Sequence, residues 1–277
     1  MNALLSLAGK EFTDGIRNRW VLAITCLLSL FALSLVFLGS APVGNVKANP
    51  IAIIIVSLAS LNIFLLPLIA LLLAYDSLVG EIENGTMLLL LSYPVARWQI
   101  VFGKYLGQSL ILIVAVLISY SIAALAIIFS HEKIAWTWTF WQPYFSMSLS
   151  SITLGMAFLA IGYLISAISR ERARAAGMAI GTWLLLVLIY DIALLGGLIV
   201  DKGRFISEKL LSWLLWFNPA DAYRLYNLGS GESANVAGML NVGKNVALSP
   251  NLLLLSLALW ISLPLAAAIF LFKRKSL

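Results

Sequence analysis

The sequence predicts an all-α polytopic membrane protein with six transmembrane helices. Of its 277 residues, 62% are hydrophobic and 11% are charged, and the mean hydropathy is +1.00. Soluble domains carry roughly 25% charged residues, so the composition excludes an ordinary soluble protein and indicates membrane lipid as the surroundings. Six apolar runs come close to, or exceed, the ~20 residues that a helix needs to cross the hydrocarbon core. Residues 1–277 are therefore predicted to form a single transmembrane domain.

The segment before the first apolar run, residues 1–19, is predicted to be an amphipathic helix at the membrane interface. Its charged residues alternate with apolar ones such as Leu7 and Phe12. The first span follows over about 20–38. A signal peptide cleaved near residues 39–41 is the alternative, but the apolar core of a signal peptide is usually only about 7–15 residues long. An uncleaved span is therefore favoured.

Five further spans follow the first one. They are predicted over residues 51–74, 100–129, 144–168, 177–200 and 252–272. The third span begins with Gly103-x-x-x-Gly107, a motif through which helices pack closely. The loop 131–143 before the fourth span carries several aromatic residues, which is typical of the membrane–water interface.

A polar connector, residues 76–104, separates the second and third spans. Its carboxylates Asp76, Glu81 and Glu83 precede an apolar run, an order that suits the positive end of a helix dipole. We therefore predict a helix over residues 76–92 that lies across the end of a span. An ordinary connection between two spans is the alternative.

Two prolines predict the starts of further helices. Pro94 lacks an N–H and fixes φ, so it suits the first turn of a helix that Ser92 could cap. The same argument makes Asn218 the cap and Pro219 the first-turn residue of a helix in the long connection 201–250. That connection also contains an apolar, aromatic stretch. It is predicted to form short helices at the extracytoplasmic membrane surface.

Asp191 is the carboxylate inside a predicted span, and two interpretations are open for it. An ionisable residue within a span is a candidate intramembrane polar site. At a rise of 1.5 Å per residue, however, Asp191 lies about 21 Å from Gly177 and so close to the outer end of the span. A structural role is therefore favoured.

The distribution of basic residues predicts the orientation. With six spans, both termini lie on one side, and that side holds eleven of the 18 Lys and Arg residues. They are Lys10, Arg17, Arg19, Arg97, Lys104, Arg170, Arg172, Arg174, Lys273, Arg274 and Lys275. The two short loops opposite hold only Lys47 and Lys133. By the positive-inside rule, both termini and the polar connector are cytoplasmic.

The residue inventory excludes several kinds of chemistry. With one cysteine, Cys26, and one histidine, His131, an intrachain disulfide is impossible and a Cys/His zinc site is close to excluded. Gly80 and Gly85 have the spacing of a P-loop, but Thr86 follows where that motif requires lysine. We predict no catalytic residue, no metal ligand and no bound cofactor. The basic residues lie at the ends of apolar runs, which argues against a nucleic-acid partner.

Several motifs resemble the signature of ABC-2-type transporter permeases. They are Gly80-Glu81-x-Glu83-x-Gly85-Thr86, Leu-Leu-Ser-Tyr-Pro94-Val95-x-Arg97, Gly103-Lys104, the stretch 10–20 and the stretch 218–224. The resemblance implies that residues 1–19 are the elbow helix and residues 76–92 the cytoplasmic coupling helix. The latter would dock onto a separate ATPase subunit, which binds ATP and Mg²⁺. Six spans are half of the usual twelve, which implies a homodimer.

The resemblance also implies which residues make the contact with the ATPase. They are Glu81, Glu83, Gly85, Thr86 and Arg97. This chain is then a transporter subunit and not itself an enzyme.

Within the family, the chain is most similar to permeases of the nitrous-oxide reductase maturation system. That resemblance implies the bacterial inner membrane, a role in copper-site assembly of nitrous-oxide reductase, and a periplasmic accessory protein. Asn218, Pro219, Asp221 and Arg224 are the predicted contacts for this accessory protein. With one Cys, one His and six Met, the chain has too few soft ligands for a copper path.

Two alternative functions stay open. One is an ABC-2 exporter of a drug, a lipid or another small molecule. The other is a channel or secondary transporter without an ATPase, although such proteins usually carry several polar groups at mid-membrane.

Overall fold

The computed structural model describes residues 3–17, 19–38, 50–130, 137–201, 207–228 and 248–275. Every regular element in these ranges is a helix, and they contain no strand. The predicted all-α class is therefore confirmed. Predictions that concern His131, Lys47, Lys133 and residues 229–247 lie outside the described residues.

The first half of the chain contains six helices within the described ranges. They are α1 Ala3–Arg17, α2 Arg19–Leu38, α3 Pro50–Ala74, α4 Val79–Glu83, α5 Thr86–Ser92 and α6 Arg97–Ser130. The second half begins with α7 Trp138–Ile168 and continues with α8 Arg172–Trp183, a π-helical turn Leu184–Ile189 and α9 Tyr190–Asp201. It ends with α10 Glu208–Phe217, α11 Pro219–Leu228 and α12 Pro250–Arg274.

Five stretches of the described chain are long and apolar enough to cross a membrane. They are Ala52–Glu83, Arg97–Phe129, Trp138–Ile168, Arg172–Val200 and Pro250–Arg274. A sixth span is counted when α1 and α2, which are bent by 66° relative to each other, are taken together. Helices are expected here because a bilayer core offers backbone N–H and C=O groups no water to bind.

Helix α7 is the centre of the bundle. It packs most extensively against α3 and α12 and also contacts α6, α8 and α11. Its buried face includes Phe158 and Tyr163, and its small residues allow close approach. A Cβ atom at Gly162 would lie 2.5 Å from the Cβ of Ala74 on α3. Dispersion contacts of this kind hold helices together where no hydrophobic effect drives association.

Helix α1 lies against the start of α6, and two glycines make this possible. A Cβ at Gly107 would lie 2.8 Å from the carbonyl oxygen of Ala8, and one at Gly103 would lie 3.0 Å from Leu7. Such distances leave no room for a side chain. The predicted close-packing motif is thus used, and its partner is the amphipathic helix α1.

The bundle has two ends, which we name by their contents. The basic end holds α4 and α5, the starts of α6 and α8, and the last residues of α12. The hairpin end holds α10 and α11, which pack against each other and against α12, while α11 also contacts α3 and α7.

The predicted helix over 76–92 is two short helices in the structure. Gly85 has φ = 73°, in the left-handed region that glycine adopts without a Cβ penalty. It ends α4, and the chain begins α5 at Thr86. The carboxylate pattern indicated a helical start but could not reveal this break.

The predicted helix start at Ser92 and Pro94 is wrong. Tyr93 is extended, with φ = −81° and ψ = 154°, because a following proline disfavours the helical region. Ser92 instead ends α5, where its hydroxyl donates to the Leu89 carbonyl at 2.7 Å. Helix α6 begins only at Arg97. In the same way, residues 138–143 of the predicted aromatic loop belong to α7, with Pro143 inside the helix.

Candidate functional site

At the basic end, a buried lysine joins three helices. Lys104 of α6 forms ion pairs with Glu11 of α1, at 2.5 Å, and with Glu81 of α4, at 2.7 Å. Its side chain is only 4% exposed. A buried ammonium group requires such partners, because removing an unpaired charge from water is costly. The junction fixes α4 relative to both α1 and α6.

Arg172, the first residue of α8, holds the other side of α4. Its side chain pairs with Asp76 at 2.9 Å and with Glu83 at 3.5 Å, and it donates to the Gly80 carbonyl at 3.0 Å. Its backbone N–H donates to Glu83 at 2.7 Å. A Cβ at Gly80 would lie 2.8 Å from Arg172 Nη2. Glycine therefore permits this close approach.

The last turn of α12 is also held at the basic end. Arg97 donates to the carbonyl oxygens of Lys273, at 3.2 Å, and Lys275, at 2.7 Å. The Lys275 ammonium in turn donates to the carbonyls of Ala167 and Ser169 at the end of α7. Partial burial, with the nearby Arg170 charge, lowers the pKa of Lys275.

The five residues predicted to contact an ATPase thus divide into two groups. Glu81, Glu83 and Arg97 bind partners within the chain. Gly85 and Thr86 are exposed, and Glu83 is exposed in spite of its ion pair. Next to them lies an apolar patch that the sequence argument did not name, formed by Leu88, Leu89 and Tyr93, with exposures of 62%, 67% and 68%. We call these three residues the α5 patch.

At the hairpin end, Asp191 and the residues 218–224 form one cluster, although nothing in the sequence indicated that they meet. Arg224 pairs with Asp191 at 2.5 Å and with Asp221 at 2.8 Å. Asn218 donates to Asp221 at 3.0 Å and to the Leu186 carbonyl at 2.8 Å. The ion pair of Asp191 with Arg224 thus joins α9 to α11.

Local sequence explains how the cluster is built. Asn218 accepts from the Ala220 N–H at 3.1 Å, so the predicted cap of α11 is confirmed. Pro219 is the first residue of α11, also as predicted. Burial raises the pKa of Asp221 to about 7, an effect that Arg224 opposes and Asp191 reinforces. Asn218 and Asp221 are fully enclosed, at 0% and 1% exposure.

The π-helical turn between α8 and α9 lies beside this cluster. Leu186, within the turn, accepts the Asn218 hydrogen bond, and Tyr190, directly after it, donates to the Leu214 carbonyl at 2.8 Å. Turns of this type are rare and occur frequently at functional sites.

A buried hydroxyl network was missed by the sequence argument. The Asn62 amide of α3 donates to the hydroxyl of Tyr120, and Tyr120 donates to Ser151 at 3.1 Å. Ser151 is 2.8 Å from the Tyr223 hydroxyl of α11. The network joins α3, α6, α7 and α11. Asn62 was a usable signal, since a polar residue inside a span needs a partner.

A groove of about 450 Å³ opens between α6 and α7 beside this network. Its lining is Leu117, Tyr120, Ser121, Ala124, Ile128, Thr137, Trp138, Trp141, Tyr144, Phe145 and Ser148. None of these residues carries a charge. Among the described residues, no group of three or more His, Cys, Asp or Glu side chains could hold a metal ion.

Comparison with known families places the chain among transporter proteins. A family model described as "ABC-2 family transporter protein" matches residues 5–277. The chain belongs to the ABC-2 transporter family. The predicted family is therefore confirmed over nearly the whole length of this permease.

Two relatives of the permease share almost its entire length. It is 45% identical over 276 residues to the probable ABC transporter permease protein NosY of Stutzerimonas stutzeri, with 99% of each chain covered. It is 42% identical over 275 residues to the protein of the same name from Pseudomonas aeruginosa, again with 99% of each chain covered. The chain is an ABC-2 permease homologous to NosY.

Proposed function

We propose that this permease couples ATP hydrolysis by a separate ATPase subunit to the copper-site assembly of nitrous-oxide reductase. The observation that carries the proposal is its 45% identity, over 99% of both chains, to a protein named NosY. ATP and Mg²⁺ bind to the ATPase subunit in this proposal, and the permease performs no chemistry of its own.

The ATPase docks onto α4, α5 and the α5 patch. A contiguous apolar patch that is exposed outside the spans marks a candidate surface for a protein partner. Gly85 and Thr86 lie at the same surface. Glu81 and Glu83 act from behind it, because their ion pairs with Lys104 and Arg172 hold α4 in position. Both termini and the basic end are cytoplasmic, in agreement with the positive-inside distribution.

The permease forms a homodimer through the helix Arg172–Val200. Only 11% of its most apolar window is buried within the chain, against 72% for Trp138–Ile168. A Cβ at Gly177 or Gly181 would meet nothing within 4 Å, so these glycines are open to a second helix. A second copy supplies such a surface, and small residues at this spacing favour close helix packing.

The periplasmic accessory protein meets the hairpin end. Asn218 and Asp221 are enclosed, so they support this contact by holding α11 in place. The exposed aromatic side chains of α10, Trp213 and Phe217 at 65% and 59% exposure, are the available surface. Among the four predicted contacts, Arg224 is partly exposed, at 22%.

The proposal is tested with the variant Leu88→Ser/Leu89→Ser. Each fully buried leucine contributes roughly 1.5–3 kcal/mol, so losing both from a docking surface should weaken ATPase binding by at least tenfold. The matched control is Leu5→Ser on α1, which is equally exposed at 62% but lies outside the α5 patch. Co-purification of the ATPase and the copper content of nitrous-oxide reductase are measured in the same cells.

We expect the double variant to lose ATPase binding and to yield copper-deficient reductase, while the control retains both. ATPase binding that is unchanged in the double variant would overturn the docking surface. Fully loaded reductase in a permease deletion strain would overturn the maturation role.

A further inference from the structure

One long helix runs from Arg172 to Asp201 through α8, the π turn and α9. Among the five described spans, its span has the smallest share of its most apolar window buried, 11%. We call it the fifth helix. Its apolar residues exposed to the surroundings include Leu185, Ile189 and Ile192, at 53%, 56% and 68% exposure. One hydrogen bond near its middle, from the Trp183 indole to the Phe64 carbonyl at 3.0 Å, joins it to α3.

At the basic end, the fifth helix is fixed to α4 by its first residue. Arg172 reaches Asp76, the Gly80 carbonyl and Glu83. Glu83 also accepts the backbone N–H of Arg172, and a carboxylate in this position is stabilised by the helix dipole. A displacement of α4 therefore moves the start of the fifth helix with it.

At the hairpin end, three polar contacts fix the same helix to α10 and α11. Asp191 pairs with Arg224, Tyr190 donates to the Leu214 carbonyl, and the Leu186 carbonyl accepts from Asn218. Arg224 is 22% exposed, so the ion pair is partly shielded from water and weakly screened.

We propose that the fifth helix carries the displacement of α4 to the α10–α11 hairpin, with Arg172 and Asp191 as the positioning residues at its two ends. The inference rests on the proposed function, because in that function ATP hydrolysis drives the displacement of α4. A helix transmits an axial displacement over the roughly 28 Å between these residues, at 1.5 Å per residue. The rest of the chain encloses the fifth helix far less than it encloses α7. In the proposed homodimer, the copy of the fifth helix that covers its exposed face undergoes the same displacement.

A second route through the chain makes the proposal falsifiable. Helix α3 also reaches α11, because Asn62 donates to the Tyr223 hydroxyl at 3.3 Å. If α3 carried the displacement, the Asp191–Arg224 pair would be dispensable for movement of the hairpin.

The test measures distances between spin labels in the purified permease–ATPase complex. The background is Cys26→Ala, and labelled permease is diluted with unlabelled permease so that one protomer carries labels. An inner pair on Arg174 and Leu263 reports the start of the fifth helix relative to α12, and an outer pair on Trp213 and Leu125 reports the hairpin relative to α6. The reference residues Leu263 and Leu125 are exposed at 63% and 54%. Distances are compared in the nucleotide-free and vanadate-trapped states.

In the unaltered sequence, trapping should change both distances by roughly 2 Å, the scale of helix shifts in such transitions. Asp191→Asn should keep the inner change and lose the outer one, and Asp191→Glu should restore it. Glu171→Gln, an exposed carboxylate just before the fifth helix, is the control that should change neither. Tyr190→Phe removes the hydrogen bond to the Leu214 carbonyl without altering charge. We expect this variant to show a smaller change in the outer distance. It replaces Asp191→Asn in the test if that variant does not assemble.

An outer change that persists in Asp191→Asn and in Tyr190→Phe would overturn the proposal in favour of a route through α3 or α7, both of which contact α11. Failure of the proposed function has a different signature, since no ATPase would co-purify and trapping would leave the inner pair unchanged.

Discussion

The Lys104 junction provides the sharpest test of how the basic end is held together. Replacing Lys104 with methionine keeps the length of the side chain but removes the charge that pairs Glu11 and Glu81. These carboxylates are 16% and 21% exposed, so in the variant two like charges would be left close together with little water. We expect the permease to be markedly less stable and its elbow helix α1 to detach.

The size of the effect follows from burial. Removing one partner of a buried ion pair costs roughly 3–5 kcal/mol, and the partial exposure of the two carboxylates lowers this to about 2–3 kcal/mol by solvent screening. At about 2–4 °C per kcal/mol for chains of this size, the melting temperature should fall by roughly 4–12 °C. The measurement is thermal unfolding of the purified permease in detergent.

Two further variants separate the ion pairs from other effects. Lys10→Met, at an exposed lysine of the same end, should leave the melting temperature within about 1 °C, as is usual for surface substitutions. The triple variant Lys104→Met/Glu11→Gln/Glu81→Gln should recover most of the loss, because uncharged groups of similar shape can replace a buried ion pair. A melting temperature in Lys104→Met equal to that of Lys10→Met would refute the reasoning.

Two remaining predictions concern the hairpin end and the orientation. Because burial raises the pKa of Asp221 from 3.8 to about 7, the native state holds a proton that the unfolded chain releases, so stability should fall as the pH rises from about 4 to 7. Asp221→Asn should flatten this dependence in denaturation curves recorded across that range, and an unchanged slope would contradict the pKa shift. For the orientation, a membrane-impermeant reagent applied outside cells with the Cys26→Ala background should label a cysteine placed at Ser230 and miss one placed at Asn84. The reverse labelling pattern would place the basic end outside.

The spans and the Asn218 helix cap were predictable from the sequence, because they depend on residues close together in the chain. A bilayer core forces an apolar run of sufficient length into a helix whatever its neighbours are. Asn218 caps α11 because its side chain reaches an N–H only two residues away. The pairing of Gly103 and Gly107 with a close neighbour was also predictable, although the neighbour itself was not.

The two breaks in the polar connector, at Gly85 and at Tyr93, were not predictable from local sequence patterns. Acidic residues before an apolar run favour a helix, but Gly85 in the left-handed region and Tyr93 before Pro94 interrupt it. The helix-start signals of Ser92 and Pro94 compete with the extended conformation that a proline imposes on the residue before it. Only the folded chain shows which preference prevails.

The tertiary structure decided which polar residues come into contact in each cluster. Glu11 meets Lys104 across 93 positions, and Asp191 meets Arg224 across 33. Whether such residues meet depends on the rotation and relative height of packed helices, which neither hydropathy nor spacing within one segment records. The sequence therefore determined that this chain is a membrane permease with charged segments at its span ends. The packing of α1, α6 and α8 around α4 decided that Glu81 and Glu83 pair within the chain, because it brings Lys104 to Glu81 and Arg172 to Glu83.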